Sequence, residues 1–288
     1  GAANIGVNDA LYHLFRGIRQ PNVDNFMFYI TLLGQKQVVL PAIFILFGYL
    51  MLTKRFWTAL HVLLIAFLGA GSVYVIKHIV QSHRPWGIAQ LSESYSFPSG
   101  HTTLATLVFM GLACLLAASF SPRRRFPLYL VAMLVAIVVG GSRLYLGAHW
   151  FTDVLAGWLL SAAILIFVII SFRRREERLI NPFGTFIVSI VALVASVTTY
   201  HYLHSPQMQI AYTQIEAPRP VLSKKEWWNK DGDKPARVSL FGIPTQYINI
   251  EWAGDLKKIQ TALLSQGWSN PPARDWVSTL HRLADVSS

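Results

Sequence analysis

Charge is what this sequence has least of. Charged residues make up 14% of its 288 positions, against about 25% in a typical water-soluble domain. That deficit argues against a soluble enzyme before any motif is read. Acid is the scarcer sign: 14 Asp and Glu stand against 25 Lys and Arg, a formal net charge of +11. Cysteine is nearly absent. Cys114 is alone and lies in an apolar run, so no disulfide framework or cysteine-built metal site can form within the chain. Its expected role is packing or lipid contact. No initiating Met and no signal peptide are present; Gly1-Ala2-Ala3 reads as an expression scar or a processed start, with natural sequence expected upstream. There is no internal repeat.

What the sequence has in quantity is apolar residues, 53% of the chain, with a mean hydropathy of +0.41. Six long runs stand out, at about 36–53, 56–80, 101–120, 126–143, 149–171 and 182–203. Each approaches the ~20 residues that a helix needs to cross ~30 Å of hydrocarbon. Ahead of them, residues 4–20 read as a short amphipathic helix with Leu11, Leu14, Phe15 and Ile18 on one side, broken by Pro21. Residues 22–34 are too polar to span, so 1–35 are expected as interfacial helices. Behind the runs, 204–244 read as a linker rich in proline and polar residues. Residues 245–288 read as a small α+β module, with Tyr247–Trp252 alternating like a strand. Leu256, Ile259, Leu263 and Leu264 follow at helical spacing, Gly267 stops that helix and Asp275 caps a further one. The expected fold is an all-α integral-membrane bundle of about six transmembrane helices, with a small C-terminal α+β extramembrane module. Its core is 36–172, and 173–203 is an additional span.

The positive charge lies between the runs. Lys54-Arg55, Arg123-Arg124-Arg125, and Arg173-Arg174-Arg175 with Arg178 occupy alternate links, which fall on one side if the spans alternate. The positive-inside rule makes that side cytoplasmic. The opposite links, 81–100 and 142–149, then face the periplasm of a bacterial inner membrane, with the C-terminal module on the same side. A nucleic-acid partner is disfavoured, because these basic residues are dispersed with no aromatic platform between them.

Three constellations fall on the outward links. The first is Lys77 with Arg84-Pro85. The second is Pro98-Ser99-Gly100-His101, opening the third run. The third is Ser142-Arg143, His149 and Asp153. Lys77, Arg84 and Arg143 are cations at one membrane face, and an arginine fork suits phosphate oxygens. Ser99 and the Gly100 N–H sit at an expected helix N-terminus, where the dipole and free amides favour an anion. His149 and Asp153 are at i and i+4, on one helix face. A carboxylate there can hold the proton on one ring nitrogen and leave the other free to attack phosphorus. His101 can protonate the leaving group and later take a proton from water. Three cations supply the electrostatic stabilisation that Mg²⁺ gives elsewhere, so no metal or cofactor is required.

In order and spacing these motifs resemble the type 2 phosphatidic acid phosphatase superfamily, whose pattern is K-x6-RP, PSGH and SR-x5-H-x3-D, with every fixed position matched over roughly residues 20–172. The resemblance implies a metal-independent lipid phosphatase with a phosphohistidine intermediate. His149 would be the nucleophile, Asp153 its orienting partner and His101 the general acid. Lys77, Arg84, Ser99, Gly100 and Arg143 would bind phosphate. Members usually place the first motif after their third helix; here it follows the second long run, so a helix is expected upstream of Gly1 and 182–203 is an addition. Residues 245–288 resemble the start of an LssY-type C-terminal domain through Asn249–Gly254 and Gly267-Trp268, which suggests an upstream transporter domain or partner by analogy.

Undecaprenyl diphosphate is the first substrate expected, ahead of phosphatidylglycerol phosphate, phosphatidic acid and lipid A phosphate. A lipid phosphotransferase would use the same residues. A vanadium haloperoxidase is disfavoured by the six apolar runs, and a lipid-binding scaffold by the intact His101, His149 and Asp153. His78, His83, Trp86 and Trp150 read as interfacial, and Glu93 as a solvated loop acid.

Overall fold

The computed structural model describes residues 6–86, 94–174, 180–213, 236–239, 241–247 and 254–270. They fall into two units. Residues Pro21–Ile215 form one, and Gly1–Gln20 with Glu216–Ser288 form the other.

The larger unit is a helix bundle. Its elements are α2 (Pro21–Leu32), α3 (Lys36–Leu52), α4 (Phe56–Val80), α5 (Gly100–Ala117), α6 (Pro122–Tyr145), α7 (Phe151–Phe172) and α8 (Pro182–Ala211). Among the described residues, six stretches are long and apolar enough to cross a membrane: Pro21–Leu52, Phe56–Val80, Gly100–Ala117, Pro122–Tyr145, Phe151–Phe172 and Pro182–His204. The multi-pass expectation therefore holds. The first stretch begins at Pro21 and so takes in residues 22–34, against the expectation that they are too polar to span, because α2 precedes α3 with only a short turn between them. Phe44, Phe67, Leu159 and Phe183 are each more than 60% exposed. Side chains that large and that apolar are at home against hydrocarbon, where they need no protein partner.

Helix α5 is the centre of the bundle and touches α3, α4, α6, α7 and α8. It meets α7 closely where Gly157 and Ser161 face it. A Cβ on Gly157 would lie 3.1 Å from the Ser99 carbonyl oxygen and 3.2 Å from Thr103 Oγ1. The Ser161 hydroxyl donates to the Thr103 carbonyl at 3.1 Å. Small residues four apart let membrane helices come this close.

One end of the bundle is closed by Leu46, Leu50, Ala59, Leu116 and Ile180, which pack together. These residues flank the basic links, so Lys54-Arg55, Arg123–Arg125 and Arg173-Arg174 share that end. An apolar cavity of about 710 Å³ opens in the same half, lined by Leu46, His61, Leu112, Leu128 and Phe186 among others. The three motifs gather at the other end.

The smaller unit contains α1 (Val7–Gly17), a two-stranded antiparallel sheet of β1 (Ala236–Val238) and β2 (Pro244–Tyr247), and α9 (Leu256–Ser265). Ala236 pairs with Tyr247 and Val238 with Pro244, with a bulge between Arg237 and Val238. Asp255 caps α9 by accepting from the Lys257 and Lys258 amides, and Gly267, at φ +84°, follows it in the left-handed region. Most of the expected strand at 247–252, the Asp275 cap and residues 249–253 of the LssY-type stretch lie outside the described residues.

One expectation is corrected. The linker placed at 204–244 does not begin at 204, because α8 continues through Pro206 to Ala211. The composition there suggested a break. Tertiary contact overrides it: the continued helix delivers Tyr212 to a buried hydrogen bond with Arg143.

Candidate active site

The site end of the bundle is assembled from helix ends. Lys77 lies in the last turn of α4, and Ser99 is the N-cap of α5. Arg143 lies in the last turn of α6, and Asp153 in the first turn of α7. Arg84 and His149 come from the connecting segments. Helix ends carry the free amides and carbonyls that a polar site can use, and here one carbonyl stitches two of them: the Ser99 amide donates to the Asp153 backbone oxygen at 3.0 Å.

His149 and Asp153 are 3% and 1% exposed, and Nδ1 of the first is 3.2 Å from Oδ2 of the second. The same Oδ2 accepts from the Trp150 amide at 2.9 Å, which fixes the carboxylate at the start of α7. A carboxylate so placed selects the tautomer with the proton on Nδ1. Nε2 then presents its lone pair, and Arg84 Nη1 donates toward it at 3.2 Å. Burial, then Arg84, Arg143, Lys77 and His101, push His149 well below the usual imidazole value of 6.5. The ring is therefore neutral at pH 7 and keeps its lone pair.

The cations are held without being discharged. Lys77 Nζ donates to the Tyr95 carbonyl and, at 3.1 Å, to that of Ser96. Arg84 donates from Nε to the carbonyl and hydroxyl of Ser94, both at 2.9 Å, and from Nη1 to the Ala148 carbonyl at 2.6 Å. Burial and the nearby Arg143 lower Arg84 to about 10, which leaves it protonated at neutral pH. Arg143, 1% exposed, donates from Nη1 to the hydroxyls of Thr31 and Tyr212. Its Nε is buried with no partner among the described residues, and so is His101 Nε2. Unpaired buried polar atoms are costly. Two of them among three cations make an arrangement that suits an anion.

Ser99 is fully buried and works locally. Its hydroxyl oxygen accepts from Thr102 Oγ1 at 2.9 Å and caps the Thr102 amide. Gly100 has room for a Cβ, which would meet Val73 at an ordinary 3.4 Å. Protein packing does not require the glycine. Gly34, which sequence reasoning overlooked, is the position that does: a Cβ there would lie 2.4 Å from the His101 carbonyl oxygen. Gly34→Ala is expected to push the start of α5 and move His101, and a displacement near 1 Å costs about 10²-fold in rate. The measurement is kcat in detergent micelles, with the loss expected in kcat more than in KM.

Sequence reasoning also missed Thr31, Tyr212 and the carbonyls of Ser94, Tyr95, Ser96 and Ala148. Carbonyl acceptors have no side-chain signature. Gly157 and Ser161, spaced i+4 and i+8 from Asp153, were a readable signal for the α5–α7 approach. His78 keeps its Nδ1 2.7 Å from the Tyr74 carbonyl, and His83 offers its own carbonyl to Trp150 Nε1 at 2.9 Å. Glu93 lies outside the described residues.

Residues 58–177 match the model of the PAP2 superfamily. Phosphatidylglycerophosphatase B of Bacillus subtilis is 34% identical over 164 residues, which cover 56% of this chain and 80% of that protein. An undecaprenyl-diphosphatase of Sulfolobus acidocaldarius is 30% identical over 172 residues, covering 57% of this chain and 78% of that one. Among solved structures, a transmembrane PAP2-type phosphatidylglycerolphosphate phosphatase from Bacillus subtilis aligns with a TM-score of 0.54 at 29% identity, over 59% of this chain and 86% of that one.

Proposed function

This chain belongs to the PAP2 superfamily of membrane lipid phosphatases, and from that we propose that it hydrolyses a lipid diphosphate or phosphate monoester through a phosphohistidine at His149. The observation that carries the reading is the His149 ring: Nδ1 is tied to Asp153 and Nε2 faces Arg84. Nε2 attacks phosphorus in line with the lipid-side oxygen. The equatorial oxygens meet Arg143, Lys77, Arg84 and the Gly100 amide at the start of α5. His101 gives a proton to the leaving oxygen as the phosphorus–oxygen bond breaks. Water, deprotonated by His101, then attacks the phosphohistidine and returns inorganic phosphate and free His149. No step calls on a metal.

Undecaprenyl diphosphate is the proposed substrate. A relative named undecaprenyl-diphosphatase supports it, and relatives named phosphatidylglycerophosphatase B keep phosphatidylglycerol phosphate as the second reading. The basic links at the far end of the bundle support, by the positive-inside rule, a site on the outer face of a bacterial cytoplasmic membrane. The test is phosphate release in EDTA from a panel of undecaprenyl diphosphate, phosphatidylglycerol phosphate, phosphatidic acid and lipid A phosphate. Undecaprenyl diphosphate is expected to give the highest kcat/KM. No release from any of the four would overturn the phosphatase reading.

The depressed His149 value carries a sign that can be checked. A neutral ring persists below pH 6.5, so the acid limb that His149 contributes to kcat/KM is expected below that value. Without ligand, the unfolded chain takes this proton near 6.5 and the folded chain does not, so stability falls as pH drops below 6.5. Histidine NMR of the ligand-free protein reads the titration directly. Arg84→Gln, by removing the nearest cation, is expected to shift it upward.

A further inference from the structure

We infer that Thr31 and Tyr212 are positioning residues that clamp the Arg143 guanidinium for phosphate. This rests on the phosphatase reading above. Both residues lie outside the stretch matching the PAP2 model, which spans 58–177. Thr31 lies in the last turn of α2, and Tyr212 follows the last turn of α8.

The clamp is specific in its geometry. Arg143 Nη1 donates to Thr31 Oγ1 at 2.6 Å and to the Tyr212 hydroxyl at 2.7 Å. The Tyr212 ring centroid is 5.2 Å from Arg143 Cζ, and Phe28 meets that ring edge-on at 5.1 Å. Thr31 is fully buried and Tyr212 is 6% exposed. A guanidinium is a rigid plane of five donors. Pinning one terminal nitrogen to two hydroxyls, with Cζ over the Tyr212 ring, fixes the rotation of the plane. The unpartnered Nε–H is then held in place before any ligand arrives, which is how orientation is gained at low entropic cost.

The chemistry of the acceptors matters as much as their place. Both are neutral hydroxyls. A carboxylate at either position would hold Arg143 as firmly, but it would cancel the charge that draws a phosphate and compete with it for the same donors. The clamp orients the cation and leaves its charge unspent. Helix α8 has a role in this beyond spanning. Packed along α3, it carries Tyr212 from the far end of the bundle to the site.

The test uses the full chain in detergent micelles, with two readouts. One is the Kd of inorganic phosphate by calorimetry, which needs no turnover. The other is kcat and KM on the best lipid of the panel. Tyr212→Phe keeps the ring contacts and removes only the hydroxyl. It is expected to weaken phosphate binding about ten-fold and to lower kcat/KM by a similar factor. Thr31→Val should do the same, and Thr31→Ser, which keeps the acceptor, should recover most of the loss. In an Arg143→Ala background neither substitution should have a further effect. Unchanged phosphate binding in Tyr212→Phe and Thr31→Val overturns the clamp, and so does an equal loss with and without Arg143. A chain that binds phosphate with these dependences yet releases none from lipid upholds the clamp and sinks the phosphatase reading instead.

Discussion

His149→Ala is expected to lower phosphate release by about four orders of magnitude or more, the scale seen when a covalent nucleophile is removed. The substitution takes away Nε2 and leaves the cations in place. Arg84, Lys77 and Arg143 are held by carbonyls and hydroxyls, so the variant should still bind inorganic phosphate. Loss of turnover with binding retained separates a nucleophile from a structural residue. Two further readouts follow from the chemistry. Brief exposure to labelled lipid should leave an acid-labile, base-stable phosphate on the wild-type protein and none on the variant. Free imidazole, which fits the space vacated by the side chain, should restore part of the rate. Full activity in the variant would sink the mechanism.

Asp153→Asn should come close to it, with a fall of about 10³ to 10⁴ in kcat. The amide replaces the carboxylate with no change of shape, and its oxygen can still accept from the Trp150 amide, a bond of 2.9 Å in the native protein. That oxygen takes the place of Oδ2, so it also faces His149 Nδ1 and the tautomer is kept. What is lost is the negative charge that would stabilise the imidazolium as Nε2 attacks phosphorus. Loss of the acidic member of a hydrolase triad costs about 10⁴. The start of α7 keeps its cap, so the melting temperature should stay near wild type while kcat collapses. A variant with normal kcat would remove Asp153 from the reaction and leave it as a helix cap.

The residues proposed to carry the chemistry were legible because chemistry constrains spacing. His149 and Asp153 were expected on one helix face; His149 instead precedes the Trp150 N-cap of α7, yet the four-residue spacing still brings the two side chains together, and PSGH marks its own helix start. The spans were legible from length and polarity. Which faces meet was not. Helices α4, α5 and α7 are apolar all round, so their patterning names no inner face, and only small residues such as Gly157 betray a close approach. The Arg143 clamp was unreadable for a different reason: its acceptors lie 112 and 69 residues away in sequence, and one of them sits beyond a proline that local propensity treats as an end. Gly34 was hidden likewise, since its neighbour is a backbone carbonyl in another helix.

Among the described residues, three cations and a single carboxylate meet at the site, and the carboxylate is already engaged by His149 and Trp150. Such a site is poorly suited to being without an anion. On the proposed mechanism each turnover becomes an exchange of one anion for another, so the product expected to slow the enzyme is also what relieves its internal repulsion. By mass action, free phosphate at a hundred times its dissociation constant adds about 2.7 kcal/mol to the folded state. Product inhibition and resistance to unfolding are then two readings of one binding constant, and a variant relieved of the first loses the same measure of the second.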